Sequence, residues 1–505
     1  MSKKTFGEIH NLVSNGDVVA AETEARGWLL ARPEDPAVLG NVGGIFIDIG
    51  NYTENTALVR EGVDLTRRAR VLKPSDRLSY NLANGLLELL PSTPESYVTV
   101  SFNPDMAEVC SLYYEAIDGS APAMPEPIFN FASALLRAGR AVEALDLVRE
   151  TLALHPQHGR GWTTLGDVLW GVWLFYGRYP DLLQDAISAY RLALTYETVD
   201  QPFRDRTEQQ IQRAREHLDE VRVQPHPELR DAERTPNSLH ADADPWDESL
   251  PAFIWKSGLG LNLCSGCRVD SPTAYDRYPL HGILVDPKAK SAAELEPAEV
   301  NVLLQGFTGA RSLLWLSRAQ AASQVEVVSW PVDGLAFSRR AGFLAAAFRE
   351  AYGVLDRIAE LLNMRLGIGI EEPCFDKLFF EKKNKQLIFR STAPWPESVG
   401  LRALMYLSAS FERDRGRFKE LRSLRNDLQH SLVLSGTLHA EKKWPWRAIT
   451  DDDLEKETFR MLRLTRSAII YCCESLRAME WERLKQVRAR GEIVLSGARN
   501  EVERA

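Results

Sequence analysis

Arg425-Asn426-Asp427-Leu428-Gln429-His430 is the stretch from which the rest of the chain is read. On a helix, with about 100° of rotation per residue, Asn426 and His430 fall on nearly the same face. Arg425 then lies roughly 140° from His430, and its long side chain can bend back toward that face. An arginine fork holds a phosphate through paired N–H donors, and an imidazole moves a proton near neutral pH. Cleaving an RNA backbone without a metal ion needs those two functions. Of the nine histidines, only His430 has an arginine five positions before it. The competing reading is a solvated helix surface on which Arg425 pairs with a carboxylate. The flanking sequence decides between the two.

Outward from the hexapeptide the pattern is helical on both sides. Helices are expected over Glu299 to Ala321 and over Phe337 to Leu366. In the second, apolar residues recur at Leu344, Phe348, Tyr352, Leu355, Ile358 and Leu362. A polar connector with Lys382, Lys383 and Lys385 leads to a short helix over Leu401 to Leu407. Phe411 to His430 carries the hexapeptide, and a last helix, roughly Leu454 to Leu484, turns Phe459, Leu462, Leu464, Ile469, Ile470 and Tyr471 inward. The order is long helix, connector, motif helix, closing helix. With Tyr352-Gly353-Val354-Leu355-Asp356-Arg357 and the Arg-polar-x-x-x-His form at 425–430, residues 299–485 resemble the HEPN ribonuclease superfamily.

Testing the first half for internal repeats gives a second architecture. Trp162-x2-Leu165-Gly166 opens a helix whose partner carries Ala186, Tyr190 and Ala193, with an insertion over Val172 to Tyr179 that lengthens the first helix or the turn. Ala132, Gly139, Ala144 and Pro156 stand at the small, turn, small and terminating positions of the preceding unit. Ala21 with Pro33, Leu39 with Gly43, Gly50 and Pro74, and Tyr80 with Ala83 and Asn84 mark three more, the third interrupted around Pro91 to Pro104. About five helix pairs over residues 2–200 resemble a degenerate tetratricopeptide array. Stacked pairs of this kind form a concave face that takes a peptide or partner domain.

Between the two, Pro225, Pro227, Pro236, Pro245 and Pro251 prevent a long helix. The chain is therefore read as all-α: a tetratricopeptide-like helical solenoid over 1–223, a linker over 224–251, and a HEPN-type helical bundle over 252–505 with an N-terminal extension. Gly258-x-Gly260 lacks the third glycine and the phosphate-loop lysine of a nucleotide site. Cys264 and Cys267 have zinc-ligand spacing but no second pair nearby, so a structural zinc or redox site competes there with a plain loop. No metal and no cofactor is expected at the hexapeptide.

Across 505 residues the composition is that of a folded globular protein, 45% hydrophobic and 26% charged, with a formal net charge of −9. A net negative chain does not bind polyanions indiscriminately, so RNA must meet a local basic patch. Between Phe411 and Arg447 nine basic residues face five acidic ones, a local +4. Arg413, Arg415, Arg417, Lys419, Arg422, Lys442 and Lys443 are the candidate RNA contacts. Trp444 and Trp446 beside them either stack on bases or anchor the core at a turn. Six scattered cysteines and the lack of a membrane-length apolar run give the expectation of a soluble cytoplasmic protein.

The resemblance implies a metal-independent endoribonuclease that leaves a 2′,3′-cyclic phosphate and a 5′-hydroxyl. His430 would be general acid or base, Arg425 would hold the phosphate, and Asn426 would orient groups. Two motifs would share one cleft in a homodimer. Antiviral defence or toxicity is the implied setting, with the repeats as sensor or restraint. The competing reading is a non-catalytic scaffold that binds a protein or peptide through its repeats and dimerises through the bundle.

Overall fold

The computed structural model describes residues 4–91, 97–119, 125–176, 180–196, 201–222, 249–263, 276, 296–318, 339–383, 386–412, 416–430, 433–435 and 447–489. Among them are eighteen helices and four short strands, and the protein is all-α. The chain divides into two compact units. The first holds Met1–Tyr97, Asn103–Val168 and Ala189–Thr207, and the second holds Val98–Phe102, Leu169–Ser188 and Glu208–Ala505.

The first half of the chain forms successive helix pairs: Phe6–Ser14 with Val18–Ala31, Pro36–Tyr52 with Thr56–Leu72, Asp76–Leu89 with Pro104–Gly119, Glu126–Arg137 with Ala141–Leu154, and Gly159–Tyr176 with Pro180–Leu194. Local chemistry sets their starts. Thr5 and Glu8 exchange backbone and side-chain bonds in a capping box, and the side chains of Asp35, Asn55 and Ser75 cap Pro36–Tyr52, Thr56–Leu72 and Asp76–Leu89. Pro33, Pro74 and Pro156 stand between pairs, where no helical N–H is needed. Ala132, Ala144, Ala186 and Ala193 are fully buried, since only a methyl group fits where paired helices touch. Of the insertion over Val172 to Tyr179, Val172 to Tyr176 lie in the first helix of the pair, which runs 18 residues, and 177–179 lie outside the described residues.

The second unit is built on Arg339–Leu366, the long helix, and Asp451–Ala489, the closing helix. Leu344, Phe348, Tyr352, Leu355, Ile358 and Leu362 are all buried, as the 3.6-residue spacing predicts. Thr458 donates to the carbonyl of Leu344 at 3.4 Å and Thr465 to that of Ala351 at 2.9 Å, so the two helices run in the same direction and these two buried hydroxyls each find a carbonyl on the facing helix. Glu296–Ser317 packs antiparallel on the long helix, with Arg365 near Glu299 at 3.4 Å. Val399–Ala409 lies against the closing helix.

Several details differ from the sequence expectation. Phe459 is half-buried rather than inward, because the guanidinium groups of Arg463 and Arg318 lie 4.4 and 5.9 Å from its ring. The polar connector contains an antiparallel hairpin, β1 Phe380–Lys383 with β2 Gln386–Phe389, closed by Phe380 against Phe389. A second, parallel pair joins β3 Val433–Ser435 to β4 Arg447–Ile449. Gly258, where the sequence already excludes a phosphate loop, ends the helix Leu250–Ser257 at φ +67°, a left-handed turn that suits glycine. Cys264 and Cys267 lie outside the described residues. Among the described residues no helix is long and apolar enough to cross a membrane.

Glu474, on the closing helix, is buried, and burial pushes its carboxyl up to about 7 against the opposing pull of Arg477 at 2.7 Å. The folded value lies above the ordinary 4.5, so its contribution to stability is present in acid and lost as pH rises toward 7. Glu474→Gln, which has no charge to bury, is expected to stabilise by up to about 3 kcal/mol at pH 8. Thermal melts of both proteins at pH 8 and pH 4.5 check this, the gain shrinking in acid.

Candidate active site

The hexapeptide ends the helix Lys419–His430. The chain enters that helix through a tight turn in which Phe418 N–H returns to the carbonyl of Ser410 at 2.7 Å, so the helix begins at Lys419 rather than near Phe411. Phe418, Leu421 and Leu424 are buried and anchor one face. At roughly 1.5–3 kcal/mol for each fully buried side chain, this anchoring outweighs the polar contacts described next.

Three and four residues along from that apolar face come the charges. Arg422 Nη1 lies 2.7 Å from Asp376 Oδ2, on the short helix Phe375–Leu378. Arg425 Nη2 donates to Asp356 Oδ2 at 3.0 Å, its Nη1 donates to Asn426 Oδ1 at 3.0 Å, and its guanidinium sits 5.2 Å from the centroid of the Tyr352 ring. Tyr352 and Asp356 stand one turn apart on the long helix and so meet Arg425 together. Asp356 is held from its other oxygen by the N–H of Phe375 at 3.1 Å. Cys374 Sγ donates to Asp376 Oδ1 at 3.1 Å. Two arginines of the motif helix thus face two aspartates, and the aspartates are themselves fixed.

Burial raises the Asp356 carboxyl above the usual carboxylate range and Asp376 adds to it, while the Phe375 N–H and Arg425 pull it down. Burial, with the bond to Asp376, pushes the Cys374 thiol up to about 12. Burial raises Tyr352 as well, with Asp356 and Asp376 adding to the effect. Tyr352 and Cys374 are therefore neutral near pH 7.

On the opposite side, Arg447 of β4 donates to Asp427 Oδ2 at 2.9 Å and to Ser423 Oγ at 3.3 Å. Both charges of that pair are about 30% exposed, so the pair is worth only about 0.2–1 kcal/mol. It guides β4 along the helix more than it secures it.

Asn426 and His430 are exposed, His430 at the last position of the helix. The arrangement gives a fixed guanidinium, an amide bonded to it, and an imidazole one helical turn beyond the amide. Lys419 is exposed at the helix start, and Arg417 is half-buried in the turn before it. Arg413, Arg415, Lys442 and Lys443, like Trp444 and Trp446, lie outside the described residues. Arg422, read from sequence as an RNA contact, is tied to Asp376.

The hexapeptide gives no sign of Asp356, Asp376 or Arg447. For Asp356 a signal existed: Tyr352 and Asp356 form an i, i+4 polar pair within an otherwise apolar helical stripe.

No curated protein matches the chain. Among solved structures, one titled "Crystal structure of MamA protein" is similar over 37% of this chain and 86% of that chain, at 16% identity and a TM-score of 0.27. Residues 294–479 match the family model described as LA2681-like HEPN. That span runs from just before Glu296–Ser317 into the closing helix and contains the long helix and the hexapeptide, which supports placing this part of the chain in the HEPN family.

Proposed function

We propose that the chain is a metal-independent endoribonuclease whose centre is Arg425, Asn426 and His430. HEPN domains are in general ribonucleases, and the observation that carries the reading here is the fixed Arg425 guanidinium on the same short helix as the exposed His430. In the reaction, a ribose 2′-oxygen attacks the adjacent phosphorus as an imidazole takes its proton. The bond from phosphorus to the 5′-oxygen breaks, and the departing oxygen receives a proton from a second imidazole. Arg425 holds the phosphate oxygens and the charge that develops on them. The products are a 2′,3′-cyclic phosphate and a 5′-hydroxyl. Arg413, Arg415, Arg417, Lys419, Lys442 and Lys443 guide the RNA strand, and Arg422 contributes positive potential from its place on Asp376.

One His430 per chain serves both proton transfers if two chains pair their motif helices across a two-fold axis. The repeat domain over 1–223 then senses or binds a regulator, with 224–251 as linker, in antiviral defence or as a toxin. An RNA carrying a single 2′-deoxyribose at the cut position tests the chemistry, since losing the nucleophile stops cutting there. Mixing wild type with an excess-free equal amount of His430→Ala tests the pairing. Relative to the same total amount of wild type alone, activity is expected to fall to about one quarter, the share of wild-type dimers in a two-fold assembly. A fall to about one half means that each chain acts alone.

A second reading, a protein-binding scaffold that dimerises through the bundle, draws on the Asp356 ion pair, which holds Arg425 as a structural salt bridge holds its partners. Under that reading neither RNA cutting nor its dependence on His430 occurs.

A further inference from the structure

From the contacts around Arg425 we infer that Asp356 is the positioning residue of this site: from the long helix it fixes the plane and direction of the Arg425 guanidinium, so that the remaining N–H groups face the scissile phosphate. The inference rests on the ribonuclease reading and adds a residue 69 positions before Arg425 in the chain.

Three observations carry it. Asp356 is fixed before it meets Arg425, since its Oδ1 accepts the N–H of Phe375 at 3.1 Å while its Oδ2 accepts Arg425 Nη2 at 3.0 Å. The guanidinium is confined on a second side by the Tyr352 ring, 5.2 Å from ring centroid to the charged carbon. The pairing does not exhaust the arginine. A guanidinium has five N–H donors; Asp356 takes one and Asn426 Oδ1 another, and a phosphate needs two. Arg425 can therefore bind a phosphate without leaving Asp356, which distinguishes a positioning contact from a lock that must open first.

The electrostatics give the role a distinct kinetic signature. A carboxylate beside Arg425 offsets part of the charge that attracts a phosphate, so it weakens ground-state binding while it holds the geometry. Asp356→Asn keeps an acceptor of the same shape and removes the charge. Its expected effect is split: kcat falls about 10-fold or more because the guanidinium is no longer held in line, while KM is unchanged or lower because the cation is no longer offset. A purely structural role has a different result, in which the melting temperature and the active fraction fall together and KM stays put.

The test measures kcat, KM and melting temperature for wild type, Asp356→Asn and Asp356→Glu in the full chain, on an oligoribonucleotide that wild type cuts. Asp356→Glu keeps the charge but moves it by one methylene, and its kcat is expected between those of wild type and Asp356→Asn at unchanged KM. If Asp356→Asn does not fold, that lowered kcat in a folded Asp356→Glu carries the test alone. Wild-type kcat and KM in the folded variants overturn the inference, as does a rise in kcat, which marks Asp356 as a restraint. Wild type that cuts no RNA overturns the ribonuclease reading and this role together. That result is distinguishable from wild type and variants cutting equally, which overturns the inference alone.

Discussion

His430→Ala is expected to slow RNA cleavage by about 10²–10⁴-fold, the range spanned by loss of a general acid or base, with the melting temperature unchanged. The imidazole is exposed at the end of its helix, so its removal opens no cavity. The same cannot be said of Arg425. Its guanidinium pairs with the half-buried Asp356 and covers Tyr352, so Arg425→Ala removes a packing and charge contact as well as the phosphate holder. Part of any loss in Arg425→Ala is then structural, and His430→Ala is the cleaner measure of chemistry. Far-ultraviolet circular dichroism and a thermal melt of each variant, beside single-turnover cleavage, separate the two contributions.

The second large effect is on stability. Gly400→Ala is expected to destabilise the second unit by about 1–3 kcal/mol or more, the cost of forcing an extra carbon into a packed core. Gly400 lies in the first turn of Val399–Ala409, where that helix crosses the closing helix. A Cβ there would run into the carbonyl oxygen of Tyr471 and come within 2.9 Å of the Ser475 backbone nitrogen. Both obstacles are backbone, so relief requires the two helices to separate rather than one side chain to turn. Urea unfolding followed by tryptophan fluorescence checks the shift. An alanine tolerated without loss would mean that the helices do not cross this closely.

The helical half-periods of this chain are legible because apolar residues carry them. The stripe from Leu344 to Leu362 locates the long helix, and the alanines and prolines of the first half locate the helix pairs almost to the turn. What escapes the sequence is whatever depends on a distant partner. Asp356 and Arg425 are individually ordinary, and only the fold brings them to 3.0 Å. The β1–β2 hairpin escapes because four-residue strands flanked by lysines carry too few alternations to outweigh their polarity. The start of the motif helix escapes for a local reason, the turn of Phe418 back onto Ser410, which no periodicity records. Arg422 shows the limit of counting charges: its basic character is legible, its tie to Asp376 is not.

The hexapeptide itself is the most legible part of the candidate site, since its three residues share one helix and depend on no long-range packing to lie near one another. Its flank is less so. Phe459 has the right spacing for a core position, yet two arginines cover its ring from outside, because a guanidinium stem shields an aromatic face nearly as well as an aliphatic neighbour does.

The most direct test of the central claim is cleavage of mixed cellular RNA in EDTA by purified wild type beside Arg425→Ala and His430→Ala, with the product ends mapped. Cutting by wild type alone, leaving 2′,3′-cyclic phosphates and 5′-hydroxyls, is the expected result. Cutting that survives both substitutions, or an absence of cutting by all three proteins, contradicts it.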